Sequence, residues 1–256
     1  MDATNTIREA VASVSQIRDV TAANEHLLEA TKAIKHFQAR RFAGTYHDLL
    51  AAPAYAGPTR FFLDELYGDR DYTQRDAQFS RIAGALQTFF PGQVVTTAVA
   101  MAQLHALTEE LDFQMASAWL NISEASVLSD ATRYIRAWRK VGRASDRHRQ
   151  LSVVLQVGSE LDRLTRKPGL RMMLRMMRRP AELAGLGALQ NFLEAGFDTF
   201  AAMAGKGKVA QEFLATIRLR ETGWLKTLND SEVVAGEASL VACLRNSGSR
   251  YQSAAR

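Results

Sequence analysis

In the stretch "LHALTEELD" (residues 104–112), His105, Glu109 and Asp112 fall at offsets 0, 4 and 7, which is one face of a helix. One imidazole and two carboxylates at that spacing can hold a divalent metal, or pair an acid with a base for proton transfer. A second acidic group precedes it, with Asp64, Glu65, Asp69, Asp71 and Asp76 crowded into "FFLDELYGDRDYTQRD" (61–76). Asp64, Glu65, His105, Glu109 and Asp112 are therefore the candidate catalytic set, and His105, Glu109 and Asp112 the candidate metal ligands. The structural alternative is a flank histidine beside the Leu104, Leu107 and Leu111 stripe, hydrogen-bonded to Glu109. No histidine has a glutamate three residues before it, so the Glu-x-x-His pairs of a di-iron bundle are missing. His-Glu-x-x-His and Cys/His zinc patterns are missing too. "DRDYTQRD" mixes its acids with Arg70 and Arg75 and lacks the glycine and closing glutamate of a calcium loop, so salt-bridged helix caps explain it better.

Other reactive residue types lack the company that chemistry needs. His36 and His47 have apolar neighbours a turn away and could face a buried cofactor such as haem. Satisfied structural histidines are the commoner outcome, and the same holds for His26 and His148. Cys243 has no histidine nearby, no Gly-x-Ser-x-Gly elbow exists, and "GLGAL" (185–189) follows no strand, so it is not a dinucleotide fingerprint. No cofactor is assigned.

Two basic features suggest binding instead. "GLRMMLRMMRRP" (169–180) holds four of the eight methionines. On a helix, Arg171, Arg175 and Arg178 share one face, while Leu170, Met173, Leu174 and Met177 fill another, broadened by Met172 and Met176. Such a segment can lie on a membrane, form an adaptable partner surface, or pack into the core with its arginines solvated; the expectation is a core helix. Around it, 14 Lys/Arg and 3 Asp/Glu stand between Arg133 and Arg179, in a chain of net charge +5. Arg133, Arg136, Lys140, Arg143 and Arg147 recur at offsets 0, 3, 7, 10 and 14, a helical stripe able to track phosphates or another polyanion. Only Tyr134 and Trp138 lie near it as stacking aromatics, and acidic helix faces elsewhere offer internal counter-charges.

The elements that must position these residues read as helices throughout. Few prolines and abundant Ala, Leu, Arg, Glu and Gln favour helix, and no β-branched or aromatic alternation persists between turn signals. Ile7, Val11, Val14 and Ile17 mark one helical face, and Phe79, Ile82, Leu86 and Phe89 another. Thr73 reads as a cap with Asp76 in its first turn, and Ser129 caps a helix that runs past Arg163 with a bend near Gly142 or Gly158. The expected fold is all-α, a bundle of roughly nine helices in one domain (1–228), subdivided near 128 into an acidic half and a basic, Met-rich half. Residues 229–256 read as a weakly ordered tail. A composition of 47% hydrophobic and 23% charged residues excludes a disordered chain. The single cysteine fits a reducing compartment, and Asp2, Arg8 and Glu9 interrupt any leading apolar segment, so a cytoplasmic protein is expected.

"FFLDELYGDRDYTQRDAQFSRI" (61–82) and "LAGLGALQNFLEAGFDTFAAM" (183–203) resemble segments of an uncharacterised family of bacterial all-helical proteins. The resemblance implies no activity or site.

The leading functional expectation is a non-catalytic helical binding or regulatory protein for an anionic small molecule or a protein partner. Its contacts would be Arg136, Lys140, Arg143, Arg171 and Arg175, with Met172, Met173, Met176 and Met177 as the apolar wall. Homodimerisation through that face is reasonable. The alternative is an enzyme or cofactor carrier using Asp64, Glu65, His105, Glu109 and Asp112, and the third is nucleic-acid binding through the basic stripe.

Overall fold

The computed structural model describes residues 2–66, 72–89, 92–122, 127–204 and 208–248, with the side chains of 65, 66, 85–89 and 204 excepted. Among these residues every regular element is helical. In chain order they are α1 (Ala3–Ala22), α2 (Glu25–Thr45), α3 (His47–Ala51), α4 (Ala56–Phe61), a π-helical turn (Phe62–Leu66), α5 (Thr73–Phe89), α6 (Gly92–Leu120), α7 (Asp130–Val141), α8 (Ala144–Thr165), α9 (Leu170–Met176), α10 (Arg178–Leu183), α11 (Gly187–Ala204), α12 (Val209–Asp230) and α13 (Val233–Arg245). The all-α class stands as expected. The helices exceed nine because the one expected from Ser129 past Arg163 is two, α7 and α8, because α3 and α10 stand apart from α2 and α11, and because α13 occupies the expected tail.

Local chemistry sets several boundaries. Asn24 caps α2 by accepting from the Leu27 amide at 3.1 Å, and Ser129 caps α7 by accepting from Thr132 at 3.1 Å. Gly142, at φ +66°, ends α7 in the left-handed conformation that a side chain resists. The chain therefore breaks at Gly142, while Gly158 lies inside an unbroken α8.

The chain forms two compact units, each assembled from three segments. The first comprises Met1–Gln16, Arg70–Leu107 and Ser152–Ile217; the second, Ile17–Asp69, Thr108–Leu151 and Arg218–Arg256. The division falls inside α1, α6, α8 and α12 rather than once near residue 128. In the first unit, Ile7 and Ala10 of α1 pack with Ala83 of α5 and Ala102 of α6, and Phe197, Phe200 and Met203 of α11 are buried. The second unit's core gathers Ile34 and Phe37 of α2, Met115 and Trp119 of α6, Tyr134, Ile135 and Trp138 of α7, and Leu228 of α12. Phe37 and Tyr134 stack with ring centroids 4.4 Å apart.

Leu240 of α13 belongs to that core with no exposed surface, which corrects the expectation of a weakly ordered tail for residues 233–245. The segment "VVAGEASLVACLR" carries no aromatic residue and little charge contrast, so its packed face gave little periodic signal. Gly236 lets it approach Ile135 of α7, and Gly44 lets α2 approach its Cys243, whose carbonyl oxygen would lie 2.0 Å from a Cβ added at Gly44.

Candidate functional site

The second unit contains a buried polar layer. α6 presents Glu109 and Asp112 a turn before the core residues Met115 and Trp119; α2 presents Lys35, Gln38 and Arg41 around Ile34 and Phe37. Lys35 donates to both oxygens of Glu109 at 2.8 and 2.9 Å, and Arg18 approaches the same carboxylate at 3.5 Å. Gln38 donates to Asp112 at 3.0 Å. Arg41 donates to both oxygens of Glu221 at 2.7 Å, and the Tyr46 hydroxyl donates to Glu221 at 2.7 Å. A charge removed from water requires such compensation.

One member of the layer is not compensated in this way. Arg147 of α8 is only 7% exposed, sits 4.3 Å from the Trp138 ring centre, and has a buried Nη2 with no hydrogen-bond partner among the described residues. Burial lowers its pKa, partly opposed by the fields of Tyr134 and Asp112. Burial likewise pushes Asp112 above the usual carboxylate range, against the pull of Lys35 and Arg147, and raises Tyr134. Glu109 and Asp112 are each under a tenth exposed, so neither is poised to meet a substrate from solvent.

The sequence candidates are therefore separated. His105 belongs to the first unit, where its Nε2 lies 2.8 Å from Asp76 of α5. Asp76 is 6% exposed; Arg75 is 3.8 Å from it, with its guanidinium over Tyr72 at 4.1 Å and Phe192 at 4.6 Å. Asp76 stands in the first turn of α5 as expected, and its contact with His105 is one that no spacing rule could reveal across 29 residues. Asp64 is half-buried in the π-helical turn; the Glu65 side chain, Asp69 and Asp71 lie outside the described residues. Among the described residues no three His, Cys, Asp or Glu side chains gather closely enough to hold a metal ion. His47 Nδ1 lies 3.0 Å from the Gly44 carbonyl and His148 Nδ1 2.8 Å from the Ala144 carbonyl.

The basic stripe does not form a single face. Arg133 donates to the Trp119 carbonyl, Lys140 to the Asn121 carbonyl, and Arg143, beyond the break at Gly142, pairs with Glu110 and Asp146. Arg147 is buried, and Arg136 is exposed. These residues belong to the second unit; Arg171, Arg175 and the four methionines belong to the first.

The Met–Arg segment is the larger correction. α9 buries no residue, so it is not a core helix. Met173 and Leu174 are half-buried on the side packed against α11, where Gln190 donates to the Leu174 carbonyl at 2.7 Å. Met172 and Met176, one turn apart, are 67% and 71% exposed; Met177 is 41% and Leu183, ending α10, 90% exposed. Arg171 pairs with Asp198 at 2.9 Å and Arg178 donates to both oxygens of Glu194 at 2.7 Å. Arg175 and Arg179 are exposed and make no hydrogen bond or ion pair among the described residues. The first unit also contains a cleft of about 200 Å³ lined by Gln93, Thr96, Thr97, Gln156, Glu160 and Arg163; Gln93 and Arg163 already satisfy Glu160 at 2.5 and 2.6 Å.

The arrangement defines an all-helical protein with one buried, mostly self-compensated polar layer and one exposed Met–Arg face. The chain belongs to the family described as a domain of unknown function, DUF8198, whose model matches residues 17–234. No curated protein and no solved structure matches it. No described helix is long and apolar enough to cross a membrane.

Proposed function

We propose that the protein is a non-catalytic binding or regulatory module that docks an anionic partner on the Met–Arg face of α9 and α10. The observation carrying this reading is that Met172, Met176 and Leu183 are held in solvent beside two exposed cations, Arg175 and Arg179, neither of which forms an ion pair among the described residues, although Glu194 feels the field of Arg175. An apolar cluster rimmed by charge is the usual composition of a docking surface, and methionine adapts its shape to the surface it meets. Arg171 and Arg178, tied to Asp198 and Glu194, anchor the two short helices on α11. The single buried cysteine suits a reducing, cytoplasmic setting.

The test is methionine oxidation footprinting in living cells beside the purified protein. Met172 and Met176 are expected to oxidise readily in the purified protein and to be shielded in cells. Equal oxidation in both settings overturns the reading. The enzyme reading is favoured by one observation, the His105–Asp76 contact, and His105→Gln is its test: turnover against a panel of small substrates, lost in that variant, would support it.

A further inference from the structure

Resting on the docking reading above, we infer that the occupant of the Met–Arg face is the surface of an anionic lipid bilayer. The three apolar side chains concerned do not line a hollow. Met172 and Met176 stand one turn apart on α9, and Leu183 stands at the end of α10 with 90% of its surface in solvent. A groove built for a peptide helix covers much of each side chain that lines it; a side chain exposed to that degree is a protruding tip. Protruding tips suit a fluid acyl boundary, which closes around them without a matched shape.

The arginines supply the complementary half. Arg175 and Arg179 flank those tips, and a guanidinium bonds phosphate oxygens through paired donors. Phospholipid headgroups present phosphate immediately above the acyl region, so one contact takes both the tips and the charges. The helices only rest on the bilayer, in keeping with the absence of a membrane-crossing helix among the described residues. Two exposed cations and a few short apolar side chains give a weak, reversible association whose strength follows the anionic lipid content.

The experiment is co-sedimentation of the full-length protein with phosphatidylcholine vesicles, with and without phosphatidylglycerol, across a salt series. Binding is expected only with phosphatidylglycerol and is expected to fall as salt rises. Arg175→Gln/Arg179→Gln should weaken it about 30-fold, the effect of two membrane-facing cations. Met172→Ser/Met176→Ser/Leu183→Ser should weaken it about tenfold or more. All five side chains are exposed, so helicity by circular dichroism should be unchanged; the salt series on the unaltered protein needs no substitution at all. Equal binding to both vesicle types, no binding to either, or variants that bind as well as the unaltered protein overturn the inference. So does soluble polyglutamate displacing the protein from vesicles at matched charge, which would assign the face to an acidic polypeptide. Shielding of Met172 and Met176 in cells without vesicle binding overturns the bilayer alone; absence of that shielding overturns the docking reading as well.

Discussion

Asp112 is held in an environment that works against its charge. Burial pushes its pKa above the ordinary 3.8, although Lys35 and Arg147 pull it down and Gln38 donates to it. A carboxylate with a raised folded pKa binds its proton more tightly when folded than when unfolded. Its contribution to stability is therefore full below about pH 4 and declines as the pH rises through the raised value, so at neutral pH the folded state bears the cost of the ionised group. Asn at this position keeps an oxygen for Gln38 and cannot ionise. Asp112→Asn is expected to melt at a higher temperature than the unaltered protein at pH 7, with the difference vanishing below about pH 4. Thermal melts of both proteins across that range check it, and a variant less stable at pH 7 than at pH 4, relative to the parent, would show that the ionised carboxylate stabilises the fold. In the sequence, His105, Glu109 and Asp112 looked like one constellation because helical spacing alone aligned them. What separates them is the partner each meets, Asp76, Lys35 and Gln38 respectively, and those partners lie 29 to 74 residues away.

Helix contacts depend as much on small residues as on the apolar stripes. On α2, Gly44 faces α13 so closely that an added Cβ would lie 2.0 Å from the Cys243 carbonyl oxygen and 3.0 Å from its sulfur. A backbone oxygen cannot rotate away, so Gly44→Ala must push α13 outward. Gly158 of α8 is different: the atom met at 2.6 Å is the end of the Leu214 side chain, which can change rotamer. Gly44→Ala should lower unfolding stability by about 2–3 kcal/mol in urea, while Gly158→Ala should change it by under about 1 kcal/mol, because the helical gain of alanine offsets the repacking. Similar losses for both would mean that the α2–α13 approach is not the tighter constraint. The stripes and caps of the longer helices were legible in sequence: Ser129 and Gly142 act as local chemistry dictates. The placement of α9 was not, since an amphipathic pattern shows that a helix has two faces without showing whether both are covered. Its seven residues pack one side against α11, and the outer methionines remain in solvent.

The order of segments along the chain conceals the order of units. Charge counted along the sequence suggested an acidic half followed by a basic one, whereas each compact unit takes segments from early, middle and late chain. The last of these segments carries α13, and Leu240 contributes a fully buried side chain to the core formed with Ile34, Ile135 and Leu228. Composition could not show this, because Ser, Gly and Ala in "VVAGEASLVACLR" resemble a tail until the neighbours that need small residues are known. All three tryptophans, Trp119, Trp138 and Trp224, lie in this second unit, so tryptophan emission reports on it alone. Removing residues 233–256 would uncover Ile135 opposite Gly236 and leave the Leu240 site empty, a loss of burial comparable to several core truncations at once. The shortened chain should show red-shifted tryptophan emission and lose its near-ultraviolet circular dichroism. An unshifted spectrum would mean that the core of α2, α6, α7 and α12 closes without α13. The observed burial of Leu240 and the 2.0 Å constraint at Gly44 argue for the first result, since both tie α13 to helices that carry the tryptophan environment.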